Sequence, residues 1–241
     1  MSQRFLVLTL AALLTVPAAQ AAAPTPRTMS GVVLNSAGQP LVGAQVFAGS
    51  TLFFNSNSLA VSGQDGRYRA KVPPGSWYGG AQMTRSFQGE TYTFDLIPNT
   101  VDPFAGSTGA IRNFQWKLTG PKPGGGFAGA TVTVYTDFFD PQMLDIVPDI
   151  ELILTPAGPL IDGSQGKTIR AKIRNTHEGM EGLQDIPLGI YTVTARHVPA
   201  GGAPQPLKIR LRNKGEFGPS VTSRFRRNGS AQLMEVEVSR R

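Results

Sequence analysis

Arg67-Tyr68-Arg69-Ala70-Lys71-Val72-Pro73-Pro74-Gly75-Ser76-Trp77-Tyr78 decides the fold class. Tyr68, Ala70 and Val72 alternate with Arg67, Arg69 and Lys71. A period of two puts the apolar set on one face of a strand and the cations on the other. Pro73 and Pro74 stop that strand, and Gly75 permits the turn that reverses it. Trp77 and Tyr78 then open the next strand with opposite parity, so one ring at most faces inward. The same alternation places Ala44, Val46 and Ala48 on one side of an earlier strand. No segment shows a sustained helical period with caps. The 28 glycines and 19 prolines fall between short apolar stretches. That punctuation belongs to an all-β chain.

Working outward, the spacing predicts strands at 29–35, 43–54, 66–72, 76–85, 90–97 and 110–118. A second series is predicted at 130–136, 149–155, 167–174, 189–198, 206–213, 220–226 and 231–239. Between them lies Pro121-Lys122-Pro123-Gly124-Gly125-Gly126. Two prolines and three glycines there mark a linker. The expected organisation is a signal peptide at 1–21, one β-sandwich at 27–120, a linker at 121–126 and a second β-sandwich at 127–241. A long loop inside one larger sandwich is the competing arrangement. The two halves share a phrase. Val72-Pro73-Pro74-Gly75-Ser76-Trp77 is echoed by Ile186-Pro187-Leu188-Gly189-Ile190-Tyr191. A weaker echo joins Ser36-Ala37-Gly38-Gln39-Pro40-Leu41 and Pro156-Ala157-Gly158-Pro159-Leu160-Ile161. Tandem duplication and convergent turn chemistry both account for these.

At the start, Arg4 precedes an apolar run from Phe5 to Val16, Pro17 breaks it, and Ala19-Gln20-Ala21 fits small-x-small cleavage. This reads as a secretory signal, with cleavage after Ala21; an N-terminal anchor is the alternative. No later stretch reads as a transmembrane segment. The chain has no cysteine, so disulfides and a lipid anchor on a cysteine are excluded. The expected location is secreted or periplasmic.

Gly31-Val32-Val33-Leu34-Asn35-Ser36-Ala37-Gly38-Gln39-Pro40-Leu41-Val42-Gly43-Ala44-Gln45-Val46, then Asp65-Gly66-Arg67-Tyr68, then Val72 to Tyr78, form an ordered set. Over residues 29–85 this set resembles the carboxypeptidase regulatory-like domain, a small transthyretin-like β-sandwich of the Ig-like, carbohydrate-binding-like kind. The resemblance implies that these residues hold the fold and carry no catalysis. In metallocarboxypeptidases the domain accompanies the catalytic domain and does not cleave peptides. Elsewhere such domains serve as spacers, interaction modules or glycan binders. The physical reading agrees. Asn35 to Gly38 is a turn, Asp65-Gly66 is a hairpin signal with Gly66 free to take positive φ, and Tyr68 and Trp77 bury rings between sheets.

Catalytic patterns are missing. The chain has two histidines, His177 and His197. Three residues after them stand Met180 and Ala200, so no His-x-x-Glu zinc pair exists. Gly106-Ser107-Thr108-Gly109 and Gly163-Ser164-Gln165-Gly166 lack the spacing of a nucleophile elbow. His177 with Asp185 is the one seed for a dyad assembled in space. Gly124 to Gly126 lacks the tail of a phosphate loop. No cofactor is expected. Asp137, Asp140, Asp145, Asp149 and Glu151 form an acidic stretch without calcium-loop spacing; it is solvated or docks on the chain's own basic strands.

Charge supplies the functional lead. The net charge is +7, and residues 196–241 hold ten Lys or Arg against Glu216, Glu235 and Glu237. Arg170, Lys172 and Arg174 alternate with Ile169, Ala171 and Ile173. Lys208, Arg210, Arg212 and Lys214 repeat the device, and Arg224, Arg226 and Arg227 extend it. If these strands share one sheet, its outer face is a cationic plate for an anionic partner. Edge protection by charged side chains is the structural alternative. The expected partners are an envelope polymer, anionic lipid or glycan, or another secreted protein. Nucleic acid is not expected, because no aromatics interleave with the cations. The reading is a non-enzymatic exported protein acting in binding, adhesion or scaffolding. Its rivals are a carbohydrate-binding module using Trp77, Tyr78 and Trp116, and an accessory domain of a separate secreted hydrolase.

Overall fold

The computed structural model describes residues 23–177, 179–229 and 231–240. The signal-peptide expectation for 1–21 falls outside these described residues. The described residues are all-β apart from one short α-helical turn and the 3-10 turn that continues it.

The N-terminal part contributes β1 (Thr28–Leu34), β2 (Gln45–Ser50), β3 (Asn57–Val61), β4 (Arg67–Lys71), β5 (Ser76–Phe87), β6 (Glu90–Asp95), β7 (Ile97–Pro98), β8 (Phe104–Ala105), β9 (Ala110–Ile111) and β10 (Phe114–Gln115). One sheet runs β4-β1-β10-β7, with β9 also on β1; the other runs β3-β2-β5-β6, with β8 on β5. Met29, Val33, Tyr68 and Ala70 of the first sheet and Val46, Ala48, Trp77 and Ala81 of the second are all buried. These inward sets form the sandwich core, each large side chain contributing roughly 1.5–3 kcal/mol by leaving water. The expected turns form. Gly38 and Gly66 take φ of 77° and 71°, and Asn35 Oδ1 accepts from the amides of Ala37 (3.0 Å) and Gln39 (2.9 Å).

The C-terminal part contributes β11 (Ala130–Thr136), α1 (Met143–Ile146) running into a 3-10 turn, β12 (Ile150–Pro156), β13 (Ile169–Lys172), β14 (Arg174–Asn175), β15 (Glu181–Ile186), β16 (Ile190–His197), β17 (Gln205–Leu211), β18 (Lys214–Gly218), β19 (Val221–Arg224), β20 (Arg226–Asn228) and β21 (Ala231–Ser239). The strand order is β13-β12-β16-β17-β21-β11-β15-β14. Three segments pass from one layer to the other. Residues 169–175 leave β12 for β15 at Ile173, which is buried. β17 pairs with β16 through Leu207 and with β21 from Lys208 onward. Residues 221–228 pair first with β16, then with β21, and cross at the fully buried Phe225. Leu152, Leu154, Tyr191 and Val193 meet Val132, Met234, Val236 and Val238 in the core between the layers.

The echoed phrase makes the same bond twice. Trp77 Nε1 donates to the carbonyl oxygen of Pro73 (2.9 Å), and Tyr191 Oη donates to that of Pro187 (2.8 Å). In each half an aromatic reaches back four residues to its proline. The 120–128 segment is a closed loop. Ala128 N donates to Gly120 O (2.8 Å), and Lys122 N donates to Gly126 O (3.0 Å). The two parts also touch. Tyr92 Oη donates to the Phe225 carbonyl (2.7 Å), and Ser36 Oγ donates to Asp162 Oδ2 (2.7 Å). Burial pushes the Asp162 carboxyl upward, but hydrogen bonds from Ser164 and Ser36 outweigh it and hold the group below its ordinary range.

Several expectations are corrected. The strand predicted at 43–54 ends at Ser50, and 51–56 form a loop with Leu52, Phe53 and Phe54 exposed. The strand predicted at 110–118 is two short pieces with Arg112 and Asn113 bulged between them. Strands β3, β8, β15 and β18 lie where none was predicted. Trp77 and Trp116, candidates for stacking a sugar, are 6% and 1% exposed. Trp116 packs against Phe94 at 5.4 Å and lies under the Arg85 guanidinium. Both tryptophans are core, because their parity points between the sheets. Tyr78, of opposite parity, is exposed.

Candidate functional site: a cationic groove between crossing strands

The predicted cations divide into separate places. Arg170 and Lys172 on β13 are two strands removed from β17, with β12 and β16 intervening. Glu151 sits in that intervening row, bonded to Arg196 (2.6 Å) and 3.7 Å from Arg170; Lys172 pairs with Asp149 (2.7 Å). On the far side, Arg210 pairs with Glu237 (2.8 Å) and Arg212 with Glu235 (2.8 Å). Arg170, Lys172, Arg210 and Arg212 thus do not form one plate. Carboxylates from Ile150-Glu151-Leu152 and Glu235-Val236-Glu237 alternate outward with the same period as the cations and interleave with them. The exposed pairs among these, Lys172–Asp149 and Arg212–Glu235, are worth about 0–1 kcal/mol each. Arg174 lines a neighbouring groove with Arg170 and Lys172, and Lys208 stands exposed on β17.

The acidic stretch docks on the chain itself. Asp140, buried, receives Arg240 through two bonds of 2.8 and 3.0 Å. Asp137 accepts from Ser239 Oγ (3.0 Å), and Asp149 holds Lys172.

Four of the nine predicted cations do converge. Arg212, Lys214, Arg224 and Arg226, joined by Arg227, line a groove of about 250 Å³ floored by Leu211, Leu233 and Met234. Topology creates it. β17 and β20 pair with the same edge of β21, one at 236–239 and the other at 231–233. The groove opens where β17 departs at Arg212 and β20 takes over at Arg226. Alternation on both segments then sends cations into the opening from two sides.

One carboxylate, Glu235, lines the groove, and it is occupied. It accepts from Arg212 Nη1 (2.8 Å) and Tyr135 Oη (3.1 Å), while the Arg212 guanidinium lies 3.6 Å from the Tyr135 ring centroid. The bond to Glu235 raises the Arg212 pKa above its ordinary value. Burial, then the bond to Glu235, raises that of Tyr135. Arg224 turns to the N-terminal part, pairing with Glu90 (3.0 Å) and donating to the Gln88 carbonyl. Lys214, Arg226 and Arg227 meet no carboxylate among the described residues; Arg227 Nε donates to Gly229 O (3.0 Å). Five cations face two carboxylates, leaving a surplus of three.

The candidate dyad does not assemble. The Asp185 carboxylate accepts from the amides of Gly120 (2.8 and 2.9 Å) and Gly129 (3.1 Å). The His177 amide donates to Gln184 Oε1 (2.9 Å). His197 ends β16 opposite Ile150 and Gln205. What sequence reasoning missed is the break between β17 and β20. Its signal was Phe225, an apolar residue set between Arg224 and Arg226.

Fold and groove together define an all-β sandwich protein with a basic surface groove. No protein-family model matches the chain, and no curated protein matches it. Among solved structures, the Bacillus anthracis TIE protein is similar at 12% identity and a TM-score of 0.34, over 88% of this chain and 34% of that one. A streptococcal ancillary pilin is similar at 8% identity and a TM-score of 0.27, over 89% and 62%. A C-terminal fragment of the pilus adhesin SpaC from Lactobacillus rhamnosus GG is similar at 13% identity and a TM-score of 0.29, over 89% and 98%. The chain spans about a third of the first structure and under two thirds of the second. Among the described residues no helix is long and apolar enough to cross a membrane.

Proposed function

We propose that this protein is a non-enzymatic binding module of the cell envelope that takes an anionic partner in the groove between β17, β18 and β20. The partner class is an envelope polymer, an anionic lipid or glycan, or an acidic secreted protein. One observation carries the reading: Lys214, Arg226 and Arg227 converge on a single concavity whose one lining carboxylate among the described residues, Glu235, is already bonded. A cation surplus held in a concavity concentrates field and attracts anions. The resemblance of residues 29–85 to the carboxypeptidase regulatory-like domain fits a spacer that presents this surface.

The test measures binding of the chain from residue 22 onward to heparin and to vesicles containing one third phosphatidylglycerol. Binding to at least one probe is expected, and it should collapse between 50 and 500 mM salt as the Debye length shortens. Lys214→Glu with Arg226→Glu should abolish it. Lys208→Glu, on an exposed site outside the groove, should leave most of it. Equal loss in both variants, or binding that salt does not weaken, would overturn the proposal.

A further inference from the structure

A second surface, sharing no residue with the groove, lies on the outer face of sheet β3-β2-β5-β6. On β2, Val46 and Ala48 are buried, while Phe47 and Gly49 take the opposite parity. On β5, Tyr78 and Gly80 face the same way. The register pairs Phe47 with Gly80 and Gly49 with Tyr78. A Cβ on Gly80 would overlap the Phe47 ring, and one on Gly49 would overlap the Tyr78 ring. Each ring therefore lies over the glycine of the neighbouring strand. The two rings meet edge to face at 6.2 Å and 87°, and Tyr78 remains 42% exposed.

The β2–β3 loop rises beside them. Its shape is held by bonds. Ser50 Oγ accepts from the amides of Leu52 (3.2 Å) and Phe53 (3.1 Å). Thr51 N donates to Ser76 O (3.0 Å), and Ser50 N donates to Ser56 O (2.9 Å). This bonded loop holds Phe53 at 70% exposure and Phe54 fully exposed. Loop and Tyr78 together border an open hollow of about 440 Å³, lined also by Ser50, Thr51, Asn55 and Asn57.

We propose that this cavity is a binding subsite for a neutral saccharide. Its lining joins aromatic rings to amides and hydroxyls and contains no Asp, Glu, Lys, Arg or His. A pyranose presents an apolar C–H face and a rim of neutral hydroxyls. The ring of Tyr78 matches the face, and Asn55, Asn57 and Thr51 match the rim. Farther along the same sheet face, Asp95 is already held by Gln82 (2.8 Å), and Thr84 faces Thr93 at 3.4 Å. A polyanion or a charged lipid headgroup finds no counter-charge in the lining. The absence of charge therefore selects a neutral ligand over both.

The test titrates the chain from residue 22 onward with cellohexaose, maltohexaose and chitohexaose, following amide shifts and heat. At least one should shift the amides of residues 50–57 and 78, equally at 0.1 and 1 M NaCl. Tyr78→Ala should weaken that binding by at least about tenfold. Phe53→Ser with Phe54→Ser, on side chains outside the core, should do the same while the unfolding midpoint holds. Lys214→Glu should leave it intact. Three results would overturn the proposal: no shift with any of the three sugars, equal binding by both altered chains, or binding to phosphatidylcholine vesicles through Phe54 without saccharide binding.

Discussion

The hydroxyl of Tyr68 donates to the carbonyl oxygen of Arg112 at 2.6 Å. Gly31, which faces Tyr68 across the β1–β4 ladder, lies under that same carbonyl. β9 and β10 both run parallel to β1, and the chain between them bulges at Arg112 and Asn113. Asn113 Oδ1 accepts from Val32 N (2.9 Å) to bridge the gap. A methyl group on Gly31 would overlap the Arg112 carbonyl backbone. Gly31→Ala should cost roughly 1–3 kcal/mol, seen as a lower urea midpoint at unchanged slope. Gly38→Ala, with open space but φ of 77°, should cost about 1–2 kcal/mol from strain alone. A neutral Gly31→Ala would remove the steric account of this glycine.

Tyr92 joins the two parts of the chain. Its buried hydroxyl reaches the carbonyl of Phe225, at the crossing that shapes the cationic groove. Tyr92→Phe leaves that carbonyl without its donor, at a cost of about 1–3 kcal/mol. The amides of 224–226 should exchange faster in the variant. Unchanged exchange there would separate the bond from the crossing.

Alkali should unfold the protein through its tyrosines. Burial, reinforced by the charge of Glu90, pushes Tyr92 up to about 12. Burial alone pushes Tyr191 up to about 12. In the unfolded chain both ionise near ~10. Between these values the unfolded state releases protons that the folded state keeps, so stability falls as pH rises from about 10 to about 12. Urea midpoints at pH 9 and pH 11.5 should differ less in the Tyr92→Phe, Tyr191→Phe double variant than in the parent. Equal differences would place the alkaline loss elsewhere.

Asp185 closes the loop between the halves. It holds φ at 64° and offers its carboxylate to Gly120 and Gly129. Asp185→Ala loses charge-assisted bonds worth about 1.5–3 kcal/mol and places alanine in a strained conformation. Asp185→Asn tolerates the conformation and keeps an acceptor, so it should lose less. Hydrogen exchange at Gly120 and Gly129 reads this directly. Protection retained in Asp185→Ala would show that the loop closes without the carboxylate.

Much of the fold was legible because it is local. Alternation in Arg67–Lys71 and in Ala44, Val46 and Ala48 put the correct residues inside. The Pro-x-Gly phrases marked both reversals, and the parity of Trp77 and Tyr78 separated a core ring from a surface ring. Strands β15 and β18 stayed hidden because Glu181-Gly182-Leu183-Gln184 and Lys214-Gly215-Glu216-Phe217 carry too few apolar residues to show a period. The loop Leu52-Phe53-Phe54 read as strand because hydrophobicity does not say whether a residue is buried.

The order of residues alone determined which side chains share a face of a strand and where the backbone turns, since both follow from dihedral preference and a repeat of two. Tertiary structure alone decided which cation meets which carboxylate. Glu151, Glu235 and Glu237 neutralise most of the basic strands, while the break between β17 and β20 leaves Lys214, Arg226 and Arg227 together. That outcome depends on strand order, and strand order is set by contacts between residues far apart in the chain.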